Sequence, residues 1–220
     1  MNFQYFELLQ LNDATFPIGN YAFSWGLETF VQQEIIHDAQ TAEAYIRSEL
    51  EGSFLYNELL ISRCAFSNYN SAEKLTSLDK IYEASKVPFE IRDGSRKLAA
   101  RFLKITRNFP ENADETESGY SPRYFPVAYG SYCAKRNFDL EESLSAFVYS
   151  QMSARVTTAV KLVPLSQTDG QKILFDLMKE FSGIVKKCLE LSEDELCLSA
   201  PGIDIRAMQH EWLYTRLYSN

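Results

Sequence analysis

Apolar residues recur at three- and four-residue steps through most of this 220-residue chain, and strand-like alternation is hard to find. A period of that kind buries one face of a helix and no face of a strand. The predicted fold is therefore all-α: a single-domain, multi-helix bundle, mostly antiparallel because the loops between periodic stretches are short. The pattern predicts helices over residues 3–11, 19–33, 41–66, 72–85, 88–109, 121–136, 140–163, 168–191 and 205–218. A break is expected near Gly183.

Local signals sharpen several boundaries. Asp139 can cap a helix, with Glu142 three residues later to complete a capping box, and Pro164 should end that helix near Val163. Pro88 suits a first turn, and Ile91, Leu98, Phe102, Ile105 and Phe109 follow along one stripe. Gly94 and Ser95 interrupt that stripe with small side chains, which would let another helix approach closely. Residues 110–121 are acidic and polar with no apolar period, so they read as an exposed, mobile loop.

Composition narrows the functional classes. There are 22 Lys plus Arg against 30 Asp plus Glu, a net charge of -8, so the average surface repels nucleic-acid backbones and anionic lipid heads. No apolar run approaches the ~20 residues that a membrane-crossing helix needs. Cys64, Cys133, Cys188 and Cys197 are scattered, and no basic-then-apolar leader opens the chain, which suggests a cytoplasmic protein with reduced thiols.

Catalytic and metal-binding patterns are missing. The two histidines, His37 and His210, belong to no H-x-x-x-H or H-E-x-x-H arrangement, so no metal site is expected. No phosphate-cradling G-x-x-x-x-G-K-[ST] loop, dinucleotide fingerprint or G-x-S-x-G elbow occurs. Asp13, Glu28 and His210 could form an acidic cleft of an all-helical enzyme if the fold brought them together in a deep pocket. Arg92, Arg96, Lys97, Arg101, Lys104 and Arg107 form a dense basic face. It is either the wet side of a helix or, in a further reading, a nucleic-acid-binding surface.

Four separated stretches carry a resemblance. The first runs Leu8-Leu9-Gln10-Leu11-Asn12-Asp13-Ala14-Thr15-Phe16-Pro17-Ile18-Gly19 and on through Tyr21, Ser24, Trp25, Gly26, Leu27 and Glu28. The second begins Glu90-Ile91-Arg92-Asp93-Gly94-Ser95. The third joins Lys161 and Pro164 to Gln167-Thr168-Asp169-Gly170-Gln171, and the fourth extends from Pro201 to Ser219. In order and spacing they resemble the urease accessory protein family UreF.

That resemblance implies an all-helical homodimer that is not itself an enzyme. Such a protein serves as an adaptor: it binds UreD (UreH in some organisms), recruits the GTPase UreG to apo-urease and gates GTP-coupled nickel delivery. Nickel and GTP would be handled by the partners, with no cofactor bound by this chain. The matched positions put Tyr21, Ser24, Trp25, Lys161, Arg206, His210, Glu211, Arg216 and Tyr218 forward as partner-binding residues. Each has a structural alternative. Lys161 could complement a helix dipole, Arg206 or Glu211 could form an internal ion pair, and Tyr21, Ser24 and Trp25 could be core.

Overall fold

The computed structural model describes residues 3–109, 120–198 and 200–219. The expected acidic loop at 110–121 therefore lies outside the described residues, apart from Tyr120 and Ser121. The described residues form helices and no strand. In chain order these are α1 (Phe3–Leu11), a 3-10 turn (Asn20–Ala22), α2 (Leu27–Gln32), α3 (Ala39–Glu49), a π-helical stretch (Leu50–Leu59) and α4 (Leu60–Ser67). There follow α5 (Ala72–Ser85), α6 (Phe89–Thr106), α7 (Phe125–Lys135), α8 (Leu140–Leu162), α9 (Gln167–Glu190), a 3-10 turn (Glu193–Glu195) and α10 (Pro201–His210).

Several boundaries follow from the capping chemistry. Asp139 accepts the Glu142 amide at 2.9 Å, but the Glu142 side chain does not return the bond, so the expected box is half made. Ser166 and Asp169 form a complete box at the start of α9, and Asp38 with Thr41 does the same for α3. The helix expected over residues 41–66 is instead two helical segments that meet at a kink, α3 leading through the π stretch into α4. The kink lies at Gly52, whose backbone leaves helical geometry.

Other expectations need correction. The helix placed at 19–33 is split, because Trp25 and Gly26 both take positive φ and only Leu27–Gln32 is α-helical. Helix α9 passes unbroken through Gly183, which faces open space on an exposed surface and costs less than a break would. In α10 Ala200 holds the cap position, Pro201 sits in the first turn and Asp204 lies inside the helix. The final helix stops at His210, eight residues before its expected end at 218, because the following amides find other acceptors, as described below.

Close backbone approach sets the core. A Cβ at Gly130 would overlap the Ser62 carbonyl, so glycine is what lets α7 lie against α4. Buried Ser95 accepts the Phe125 amide at 3.1 Å, so the small-residue step in α6 does receive α7. Phe102 then sits among aromatic rings, 5.7 Å from Phe125, 5.3 Å from Tyr132 and 6.1 Å from Phe16, while Tyr129 stacks on Phe147 at 4.6 Å. Truncating a ring at such a position costs ~3–5 kcal/mol.

The core also contains charge. Arg155 of α8 meets Glu49 at 3.0 Å, with its guanidinium over the rings of Trp25 and Phe54 at 5.5 and 5.4 Å. Lys86 meets Glu58 at 2.9 Å on the π stretch, with the Ser53 hydroxyl at 3.3 Å. Two cations face two carboxylates in this interior, which is what burial of ions requires.

Candidate functional site

The Phe16-Pro17-Ile18-Gly19 turn returns the chain after α1. The Phe16 amide donates to the Asp13 carbonyl at 3.0 Å, and Gly19 adopts a left-handed φ of 80°. Arg101 of α6 donates to the Ile18 carbonyl at 2.9 Å and fills the space where a Gly19 side chain would stand. The chain then passes Tyr21, Phe23 and Trp25 and enters α2. There Gly26 gives Ala207 of α10 room to lie close, with the nearest approach 3.4 Å from the position a Cβ would take.

That approach brings four titratable side chains from distant parts of the sequence together. His210, at the end of α10, is fully buried, with Nε2 2.9 Å from Glu28 Oε2 of α2 and Nδ1 2.6 Å from Glu90 Oε2 of α6. Arg216 donates to the other Glu90 oxygen at 2.9 Å. The Glu28 carboxylate also accepts the backbone amides of Leu217 at 2.8 Å and Tyr218 at 3.1 Å. Further bonds fasten the same segment: Gln32 donates to the Thr215 carbonyl at 2.8 Å, and the Ser219 amide donates to the Ala22 carbonyl at 2.9 Å.

These contacts form a clasp. Carboxylates from α2 and α6 hold the imidazole of α10 between them and then catch the chain beyond it. The clasp also explains why α10 ends at His210. The Leu217 and Tyr218 amides donate to Glu28, so the last stretch runs along α2 in turns instead of extending the helix.

The clasp pins the backbone while leaving large side chains in solvent. Trp212 is 86%, Tyr214 101% and Leu217 80% exposed, and Tyr21 beside the clasp is 66% exposed. Exposed singly such residues are ordinary, but three on one strapped nine-residue tail form an apolar surface that is held in place. Tyr218 instead turns inward. Its hydroxyl is buried, and burial lifts the phenol above its ordinary value, with the Thr158 hydroxyl of α8 pulling the other way.

The sequence-derived residues fall into three groups. Arg206, His210, Arg216 and Tyr218 take part in the clasp or pack beside it; Arg206 bonds Gln209 at 2.7 Å and lies 5.7 Å from the Phe30 ring. Lys161 is exposed in the last turn of α8, three residues beyond Thr158, and Glu211 is exposed at the start of the tail. Ser24 and Trp25 are buried, so of the expected aromatic patch only Tyr21 reaches the surface. The reason is the paired positive φ at Trp25 and Gly26, which turns the indole inward toward Phe23, at 5.9 Å, and Arg155.

Two carboxylates central to the clasp, Glu28 and Glu90, were not among the predicted partner-binding residues. The sequence offers Glu28 as a possible acid-base group and as the end of the first stretch, and Glu90 as the start of the second. A signal was present: each opens a resembling stretch or closes one, on helices that pattern alone gives no reason to join. Asp13 does not join Glu28 and His210; it accepts the Thr15 amide at 2.7 Å.

The arrangement is not suited to turnover. Both imidazole nitrogens are occupied and no ring edge is exposed, so His210 has no face from which to exchange a proton with a substrate. The two carboxylates also lie on opposite sides of the ring, so the three side chains share no common point for a metal ion. Among the described residues no group of three His, Cys, Asp or Glu could hold one.

The chain's relatives bear on this geometry. The family model described as UreF matches residues 36–178. The chain is 40% identical over 220 residues to the urease accessory protein UreF of Actinobacillus pleuropneumoniae, with 96% of each chain covered. It is 38% identical over 223 residues to the urease accessory protein UreF of Haemophilus influenzae strain PittEE, covering 96% of this chain and 93% of the relative. The family-model match stops short of both α2 and α10.

Proposed function

Because this chain belongs to the UreF family of urease accessory proteins, which are not catalysts, we propose that it is a scaffold for nickel-dependent maturation of urease. In this reading it works in the cytoplasm as a homodimer. It binds UreD (UreH), recruits UreG to apo-urease and gates GTP-coupled nickel delivery, while nickel and GTP stay with those partners. The observation that supports the reading best is the strapped tail. A clasp of buried and half-buried polar side chains holds a short segment on which Trp212, Tyr214 and Leu217 stand in solvent.

Binding energy concentrates in aromatic anchors that a rigid frame presents in advance, since ordering them on binding costs affinity. Trp212 and Tyr214 fit that role, with Tyr21, Lys161, Glu211 and Arg216 as rim. A second apolar surface supports self-association. Helix α1 buries Glu7, Leu8 and Leu11 and leaves Phe3, Phe6 and Leu9 exposed, while Glu7 is fixed to Arg136 at 2.7 Å and to Tyr132 at 2.8 Å. The ionic anchor holds the helix so that its outer apolar face stays presented.

No helix among the described residues is long and apolar enough to cross a membrane. The basic face of α6 gives little support to a nucleic-acid reading, since Arg92 is spent on the Lys86 carbonyl at 2.6 Å and Arg101 on the Ile18 carbonyl.

The test is to mix the purified chain with UreD and UreG and measure the mass of the product with and without nickel and GTP. A stoichiometric complex containing two copies of this chain is expected. A chain that stays alone under every condition contradicts the adaptor reading.

A further inference from the structure

The basic face of α6 divides into two parts. Arg92 and Arg101 are consumed by backbone carbonyls within the fold, whereas Arg96, Lys97 and Arg107 are exposed and line a surface recess of about 530 Å³. Arg123, from the segment leading into α7, closes its far side, and Ala100, Leu103 and Pro122 contribute apolar floor. Two of the four cations have acidic neighbours: Lys97 pairs with Asp93 at 2.6 Å and Arg123 with Glu83 at 3.4 Å. Arg96 and Arg107 have no carboxylate in ion-pairing reach among the described residues, and Arg107 touches only the Ser121 hydroxyl, at 3.5 Å.

Arg96 and Arg107 are eleven residues apart, three helical turns, so they share one face at a separation of about 16 Å. In a chain of net charge -8, two guanidinium groups with no carboxylate partner among the described residues form a local reversal of sign. We infer that this recess docks an extended acidic segment of a protein partner, its carboxylates meeting Arg96 and Arg107 and its stem lying on Ala100, Leu103 and Pro122.

Three features favour that ligand chemistry. The cations are strung along about 16 Å and do not converge on one point, so they match charges spread over roughly five extended residues better than a single phosphate. The guanidinium fork pairs with carboxylates in two-point fashion. Among the described residues no aromatic side chain lines the recess to stack on bases, and the acidic remainder of the chain repels a long polyanion.

The test uses fluorescein-labelled octaglutamate and the full chain, followed by fluorescence anisotropy at low and high salt. Arg96→Glu with Arg107→Glu should weaken binding roughly tenfold or more, with the thermal midpoint unchanged because both side chains are exposed. Lys172→Glu with Lys186→Glu makes the same change in net charge elsewhere and should have a much smaller effect. Wild-type binding should also fall as salt rises from 50 to 200 mM. Equal losses in the two double variants, no measurable binding by the wild type, or tighter capture of pyrophosphate or a short DNA duplex than of octaglutamate would each overturn the proposal.

Discussion

In the interior, Arg155 and Lys86 meet Glu49 and Glu58 one to one, walled in by Trp25, Phe54 and Tyr82. At the edge, Glu28 and Glu90 share His210, and each then reaches on to the tail, through two backbone amides and through Arg216. The residue types are nearly the same and the consequences differ. Interior pairs spend their remaining bonds on neighbours inside the core, Gln151, Ser53 and Tyr82, so they tie α3, the π stretch and α8 into one frame. The edge carboxylates have lone pairs to spare, and those spare acceptors hold the surface on which the functional reading rests.

The comparison can be broken first in the interior. Arg155→Ala strands the Glu49 carboxylate among apolar groups, a loss of ~3–5 kcal/mol. Thermal unfolding should show a midpoint about 10 °C lower for a chain of this size. A midpoint near the wild-type value would mean that water reaches Glu49 and that the two networks are not different in kind.

Glu28→Gln should do less to the whole and more to one part. The amide cannot accept from His210, Leu217 and Tyr218 together, and losing charge-assisted bonds of this sort costs ~1.5–3 kcal/mol. The loss should appear locally, as faster hydrogen exchange at the Leu217, Tyr218 and Ser219 amides, with slow exchange preserved around Phe102. Uniformly faster exchange would place the clasp in the same cooperative unit as the core.

Trp212→Ala should leave stability within ~0.5 kcal/mol, since the side chain is 86% exposed, yet weaken partner capture by an amount typical of an aromatic anchor, ~2 kcal/mol. Isothermal titration beside a melting curve separates the two. The smallest effect belongs to charges in neither network. The Asp38 and Asp169 carboxyls are held below their ordinary value by capping hydrogen bonds from Thr41 and Ser166. Their contribution is present above the unfolded value near 3.8 and fades as pH falls through the lower folded values. Asp38→Asn with Asp169→Asn should lower stability slightly at pH 7 and flatten that acid-side slope in denaturant titrations from pH 5 to pH 2.

Much of the helix layout was legible because capping and periodicity are local. Residues 3–11 and 72–85 emerge from the pattern with the observed bounds, and Asp139 and Pro164 mark the two ends of α8. What was not legible depends on contacts between distant segments. Nothing near Trp25 indicates that its backbone turns left-handed, because the reason is the approach of α10 to Gly26, some 180 residues later. Residues 211–218 have helical spacing, and the Glu28 carboxylate, offered from α2, draws the Leu217 and Tyr218 amides away from it. His210 could be singled out from the C-terminal likeness, but its complete burial between two carboxylates could not, since burial belongs to the assembled fold.

Binding of UreD and UreG to the Glu28→Gln variant, measured by light scattering beside the wild-type chain, tests the link between clasp and partner surface most directly. With the core intact by melting curve, the account predicts that the variant assembles at least tenfold more weakly. Full-strength assembly by a variant whose Leu217 and Tyr218 amides exchange freely would contradict it, because the tail would then need no clasp to do its work.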